Sequence, residues 1–156
     1  MDYEETFAHV AKITNVRTLI AVSLWKIYQM DVKNVFLNGD LHEEVYISPP
    51  PGIAHQPGEV CRLRKALYGL KQVPRSWLEK FSTLITSLSF KPSNCDSALF
   101  VRCTSVGRII ISLYVDDMII TGDDHDDMGS LKCDLDHRFS MKDLGLLRYL
   151  LGIEVA

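Results

Sequence analysis

The stretch RIIISLYVDDMIIT, residues 108–121, is the strongest indicator of the fold, because two apolar runs flank two adjacent aspartates. The runs, residues 108–114 and 118–121, predict the strands of a β-hairpin with Asp116 and Asp117 at its tip. Neighbouring carboxylates are costly in a protein unless a cation or solvent compensates them. Aspartate is also common in exposed turns, so the pair alone leaves a plain turn and a metal site equally open.

Apolar periodicity on both sides of the hairpin predicts helices. One helix would begin at Pro74, bury one face and end before Pro92. Another would run from near Asp124 to residue 137 or 139. A first helix would be capped by Thr14 or Asn15. The inward positions are Val16, Leu19, Ile20 and Leu24 in the first helix, Trp77, Phe81, Leu84, Ile85 and Leu88 in the second, and Met128, Leu131, Leu135 and Phe139 in the third.

Shorter apolar runs predict further strands, at residues 26–32, 45–47, 98–102 and 150–154. With 156 residues and 47% apolar composition, the chain can bury one core, which indicates one domain of mixed helix and strand. The longest apolar run is interrupted by Asp116 and Asp117, so no membrane span is predicted.

The four cysteines form no C-x-x-C pair, and the histidines lack zinc-site spacing. We therefore interpret the cysteines as reduced thiols of an intracellular protein.

Charge is distributed unevenly although the net charge is only −3. Basic residues crowd one stretch, where Glu79 is the only acid, and aspartates crowd another. A fold that joins the two stretches would suit polyphosphate together with a metal ion. The basic set is Arg62, Arg64, Lys65, Lys71, Arg75 and Lys80, and the acidic set is Asp116, Asp117, Asp123, Asp124, Asp126 and Asp127.

Asp31 lies near the end of the predicted strand 26–32 and is the third candidate carboxylate. If this strand neighbours the hairpin, three carboxylates converge, and such oxygen ligands suit Mg²⁺ completed by water and substrate phosphate. In a two-metal site, with ions roughly 3.5–4 Å apart, one ion activates a hydroxyl and the other stabilises the leaving oxygen.

Five motifs occur in a recognisable order: QMDVKNVFLNGDL at 29–41, LYGLKQVPRSW at 67–77, YVDDM at 114–118, MKDLG at 141–145 and LGIE at 151–154. In this order, over nearly the entire chain, the sequence resembles the reverse transcriptase of copia-type retrotransposons. The resemblance implies an RNA-directed DNA polymerase that uses two Mg²⁺ ions, with Mn²⁺ as an alternative, and acts on an RNA or DNA template–primer and deoxynucleotides.

The resemblance also implies residue roles. Asp31, Asp116 and Asp117 would be the catalytic, metal-binding aspartates, with the backbone carbonyl of Val32 as a further metal contact. Phe36 matches the aromatic position under the incoming sugar, although Phe is also often a core residue. The other implied contacts are Gly69, Lys71 and Gln72 for the nucleotide, and Arg75, Leu151 and Gly152 for template and primer.

The fold implied by the resemblance is α+β: a polymerase palm over residues 1–156, with an antiparallel sheet packed on helices and a partial fingers insertion at roughly 38–75. Thumb and RNase H domains are expected to be absent. The family also implies integrase and RNase H regions in a longer polyprotein, no membrane, and a cytoplasmic, virus-like particle. Val35 departs from the family's small alanine, and its extra methyl groups could overpack the position beside Phe36.

Two other functions stay open from the sequence. A truncated retroelement relic would fold, bind nucleic acid or protein at most, and turn nothing over. Another palm-like phosphoryl enzyme, such as a nucleotide cyclase, could carry similar carboxylates, but it gives no reason for the motif at 67–77.

Overall fold

The computed structural model describes residues 11–35, 43–65, 67 and 73–155. Its helices are α1 (Ile13–Val22), α2 (Val73–Ser87) and α3 (His125–Phe139). Its strands are β1 (Ile27–Val32), β2 (Tyr46–Ile47), β3 (Cys61–Arg62), β4 (Lys91–Pro92), β5 (Leu99–Cys103), β6 (Arg108–Tyr114), β7 (Asp117–Gly122), β8 (Met141–Leu146), β9 (Tyr149–Leu150) and β10 (Ile153–Glu154).

A six-stranded antiparallel sheet organises the described residues, in the order β4-β5-β6-β7-β1-β8. Two small ladders, β2 with β3 and β9 with β10, lie outside it. Strand β1 comes early in the chain yet pairs between β7 and β8, which come late. This central insertion of β1 places Asp31 beside the hairpin of β6 and β7.

One side of the sheet, which we call the helix face, carries Phe100, Ile111 and Ile120, which lie directly opposite one another on β5, β6 and β7, and Met30 of β1. Phe81 of α2 meets Phe100 edge-on with ring centroids 5.6 Å apart. Phe139 of α3 lies 5.0 Å from Trp77 of α2 between centroids. Helices α2 and α3 therefore cover this face, and burial of its large apolar side chains supplies the main driving force for folding.

The opposite side, the aspartate face, carries Gln29, Asp31, Asp117 and Thr121. The hydroxyl of Ser23, which caps the C-terminus of α1, lies 3.1 Å from that of Thr121 and ties the end of α1 to this face. Thr121 is fully buried, whereas Gln29, Asp31 and Asp117 keep partial exposure. The part of the face that holds the aspartates is thus open to ligands.

The second and third helices and the central strands confirm the sequence predictions. Met128, Leu131, Leu135 and Phe139 are the buried residues of α3, and Trp77, Phe81 and Ile85 are buried in α2. Leu84 and Leu88 are half-buried and pack on the same core. The structure also has β3, β4 and β8, which the apolar pattern did not predict.

The predicted start of the first helix is wrong. Thr14 and Asn15 lie inside α1, and its N-cap is Lys12, whose side chain makes no capping bond. The carboxylate of the distant Asp96 sits at this helix end instead, accepting from the Lys12 backbone N–H at 3.1 Å and the Asn15 amide at 2.9 Å. Leu24 is also not a core residue, because α1 ends at Val22 and the Leu24 side chain is 99% exposed.

All four cysteines are free. Within the described ranges, no helix combines the length and the apolar character that crossing a membrane demands.

Candidate active site

The hairpin of β6 and β7 presents Asp116 on a two-residue turn. Tyr114 pairs with Asp117 across the ladder, so Val115 and Asp116 form the connection. Val115 has a φ of 53°, a left-handed conformation that a β-branched residue rarely adopts. Strain of this kind persists only where the surroundings impose it and is concentrated at functional sites.

Strand β1 fixes the turn and adds the third carboxylate. The backbone N–H of Val32 donates to the carbonyl of Asp116 at 2.9 Å. One residue earlier, Asp31 lies directly opposite Asp117 in the antiparallel register. Side chains of directly opposed residues share a face with Cβ atoms about 4.5–5.5 Å apart. The strand that carries Asp31 thus neighbours the hairpin, as the sequence predicted.

The pKa of Asp116 reflects its partial burial and the nearby carboxylates. Partial burial raises the pKa of Asp116, and the negative charges of Asp117 and Asp31 raise it further. The Asp116 carboxylate is thus close enough to Asp117 and Asp31 to be repelled by both. A cation placed among them would relieve the repulsion.

Sequence reasoning missed two neighbours of these aspartates. Gln29 donates its side-chain amide to Oδ1 of Asp117 at 2.9 Å. Lys142 of β8 lies opposite Asp31, on the same face of the sheet. Strand alternation could have placed Gln29 beside Asp31, since the two are two residues apart. Lys142 lies in the motif at 141–145, but its place beside Asp31 could not be predicted, because β8 was not predicted and its pairing with β1 contains a register shift.

The three carboxylates are the kind of donor that a divalent metal prefers, and Asp31 and Asp117 share one face of the sheet. Mg²⁺ binds through a few carboxylates and keeps several waters. In the part of the chain that the structure describes, however, no group of three or more His, Cys, Asp or Glu side chains is arranged to hold a metal ion. Binding by all three aspartates therefore requires at least one side chain to turn.

The other candidate residues are distributed differently. Arg75 lies on α2, which covers the helix face, and its Nε forms an exposed ion pair with Oε1 of Glu79 at 3.0 Å. Leu151 and Gly152 form the turn between β9 and β10, with φ angles of 51° and 80°. The Leu151 carbonyl accepts from Arg17 of α1 at 3.1 Å. Phe36, Gly69, Lys71 and Gln72 fall outside the described residues.

Comparison with known proteins shows the family. A family model described as reverse transcriptase (RNA-dependent DNA polymerase) matches residues 1–156. The chain belongs to the reverse transcriptase family. Membership in this family confirms the resemblance drawn from the ordered motifs.

Similar proteins come from transposons of plants. The chain is 43% identical to a retrovirus-related Pol polyprotein from transposon RE1 of Arabidopsis thaliana, over 99% of the chain and 11% of that polyprotein. It is 40% identical to the corresponding polyprotein from transposon TNT 1-94 of Nicotiana tabacum, over 99% of the chain and 12% of that protein. This reverse transcriptase family member thus spans about a tenth of the length of these two polyproteins. No solved structure matches the chain.

Proposed function

We propose that the chain is the catalytic core of an RNA-directed DNA polymerase, which joins a deoxynucleotide to the 3'-hydroxyl of a primer. The observation that carries the proposal is the direct opposition of Asp31 and Asp117, with Asp116 held beside them on a strained turn. Like charges directly opposite each other destabilise a sheet. A bound cation would remove this repulsion, which explains why the two carboxylates face each other.

Asp31, Asp116 and Asp117 would hold two Mg²⁺ ions, with Mn²⁺ as a substitute and the Val32 carbonyl as a further contact. Bound ions would activate the primer hydroxyl and stabilise the leaving pyrophosphate. The sheet supplies the positioning: the cross-strand register sets the spacing of Asp31 and Asp117, and the Val32 N–H fixes the backbone of Asp116. A backbone fixed in this way lowers the cost of bringing the three side chains to the reactive geometry.

The remaining contacts belong to the same proposal. Phe36 would pack under the incoming sugar, and Gly69, Lys71 and Gln72 would contact the nucleotide. Arg75 would contact the template or primer, and the turn at Leu151 and Gly152 would position the primer. The six-stranded sheet with α2 and α3 would be the palm, with residues 38–75 as a partial fingers insertion.

The proposed partners are an RNA or DNA template–primer and deoxynucleotides. Because the relatives are polyproteins of transposons, we further propose that the chain works beside RNase H and integrase regions, in a cytoplasmic particle.

Primer extension with Mg²⁺ tests the proposal. Asp116→Asn should lower the rate about 100-fold or more, since metal-assisted charge stabilisation contributes several kcal/mol. Asp134→Asn is the matched control, because it removes the same charge from an exposed position of α3.

Extension that survives Asp116→Asn would contradict the proposal. If the unaltered chain has a folded spectrum but incorporates no nucleotide at high enzyme and Mg²⁺, the result would favour a retroelement relic without turnover. Cyclic product formed from ATP without primer would favour a cyclase.

A further inference from the structure

Gln29 contacts one of the three aspartates although no motif assigns it a role. Its side-chain amide lies 2.9 Å from Oδ1 of Asp117, at a partly buried position. A carboxylate accepts hydrogen bonds, so the group facing Asp117 is the amide NH₂.

The register explains why Gln29 makes this contact. Gln29 pairs with Ile119, which places Asp117 two residues along the partner strand, on the same face. Such diagonal neighbours are within reach of long side chains. Asp31, directly opposite Asp117, carries the same charge and cannot donate to it. Gln29 is therefore the side chain of β1 that can support the carboxylate.

We propose that Gln29 is a positioning residue that holds the Asp117 carboxylate in place for metal binding, and that Asp31 or Asp116 is the side chain that turns to join it. The inference rests on the proposed function. One hydrogen bond restricts rotation of the carboxylate and partly offsets the repulsion from Asp31, and it leaves capacity for a metal bond, because a carboxylate has about four acceptor sites. Hydrogen bonds to metal-ligating side chains typically account for 10- to 100-fold in metal affinity.

A double-mutant cycle, measured by Mn²⁺ binding with electron paramagnetic resonance, tests this role. Gln29→Met keeps the length of the side chain and removes the donor. We expect it to weaken Mn²⁺ binding about 10- to 100-fold. Gln56→Met, at an exposed position of the loop between β2 and β3, is the matched control and should leave binding unchanged.

The second arm of the cycle is Asp117→Ala. If Gln29 acts through Asp117, adding Gln29→Met to Asp117→Ala should cause no further loss of Mn²⁺ affinity. A purely structural role would instead weaken binding by the same factor in both backgrounds. Unfolding midpoints of all four proteins, measured without metal, separate folding losses from binding losses.

Three results would overturn the inference: unchanged or tighter Mn²⁺ binding in Gln29→Met, equal losses in both backgrounds, or no saturable binding by the unaltered chain. The last result would also overturn the proposed function. The first two would leave it intact, provided that Asp116→Asn still weakens Mn²⁺ binding.

Discussion

At the scale of single residues, the cross-strand pair of Asp31 and Asp117 lowers the stability of the metal-free chain while providing ligands for a cation. Two carboxylates in one cross-strand pair cost free energy in the metal-free chain, by up to about 1 kcal/mol relative to an uncharged pair. Retaining such a cost is typical of functional sites, where activity and stability are often opposed.

Asp31→Asn should therefore stabilise the metal-free chain at neutral pH. Lys142 lies opposite Asp31 on β8, but no ion pair joins the two side chains in the described structure. We therefore expect the free energy of unfolding to rise by roughly 0.2–1 kcal/mol, because the substitution removes the repulsion from Asp117 at nearly constant volume. Denaturant unfolding of the metal-free proteins measures the difference. Asp134→Asn, on the exposed side of α3, is the control for loss of charge and should change stability less. A lower stability of Asp31→Asn would show that Asp31 makes a favourable contact in the metal-free state.

The aspartates could be predicted from the sequence, whereas their supporting residues could not. Asp116 and Asp117 are visible because charge interrupts an apolar run, and charge in such a place needs a reason. Gln29 is an ordinary polar residue in a half-exposed strand. Its role depends on which strand pairs with β1 and in which register, and that information lies some 88 residues away.

At the scale of elements, the start of α3 could be predicted from the sequence, because its capping residue is a nearby aspartate. Asp124 caps the helix by accepting from the backbone N–H of Asp127 at 3.1 Å. The Thr104 hydroxyl donates to its other oxygen at 2.7 Å. The bond from Thr104, then that from Asp127, and the nearby charge of Arg102 hold the pKa of Asp124 below its ordinary value.

A lowered pKa predicts how the stability due to Asp124 varies with pH. The contribution of the carboxylate is complete above the pKa of the unfolded chain and is lost as pH falls through the lower, folded value. Asp124→Asn, which keeps a capping oxygen, should therefore lower the unfolding midpoint at neutral pH, with a difference that shrinks in acid.

Asp124→Ala removes the cap as well as the charge, so its deficit should persist at low pH. Thermal unfolding between about pH 7 and pH 3 measures both variants. Asp126→Asn, exposed in the same first turn, is the control. A deficit of Asp124→Asn that stays constant with pH would show that charge at Asp124 does not matter.

Helix α1 and strand β8 show where local patterns fail. Thr14 and Asn15 are suitable capping residues, but the carboxylate at the N-terminus of α1 comes from Asp96, 84 residues beyond Lys12. Strand β8 has mostly exposed residues and glycine at position 145, so it lacks the apolar alternation that marks a strand. It forms because β1 offers an unpaired edge, which is a property of the assembled sheet.

At the scale of the whole molecule, Asp96 joins the first helix to the loop before β5. It is 6% exposed, and its carboxylate accepts three hydrogen bonds, from the Lys12 backbone, the Asn15 amide and the Ala98 backbone. Since α1 is tied to the aspartate face at its other end through Ser23 and Thr121, Asp96 stabilises the layer beside the candidate site.

Asp96→Ala should lower the free energy of unfolding by about 1–3 kcal/mol, because it leaves the buried Ala98 N–H and two partly buried donors without their acceptor. Asn15→Ala, which removes a single donor, should cost roughly 1 kcal/mol or less. Denaturant unfolding measures both losses. Faster amide hydrogen exchange within α1 of Asp96→Ala would locate the effect. Equal stability of the two variants would show that Asp96 does not anchor the helix.

Metal binding should couple the candidate site to the stability of the whole chain. A ligand that binds only the folded state stabilises it by about 2.7 kcal/mol at a concentration 100 times its dissociation constant. For a domain of this size, such a gain raises the unfolding midpoint by roughly 5–10 °C. Mg²⁺ should therefore raise the midpoint of the unaltered chain, and the rise should be much smaller in Asp31→Asn.

The order of the unfolding midpoints of the unaltered chain and Asp31→Asn should consequently reverse as the Mg²⁺ concentration is raised. Asp31→Asn is the more stable without metal, since it lacks the repulsion, and the unaltered chain is the more stable at saturating Mg²⁺, since it binds the ion more tightly. A Mg²⁺-induced rise of equal size in both would place the binding site elsewhere, for which the acidic stretch at residues 123–127 is the alternative. Asp126→Asn distinguishes the two sites, because it should reduce the rise only if that stretch binds the ion.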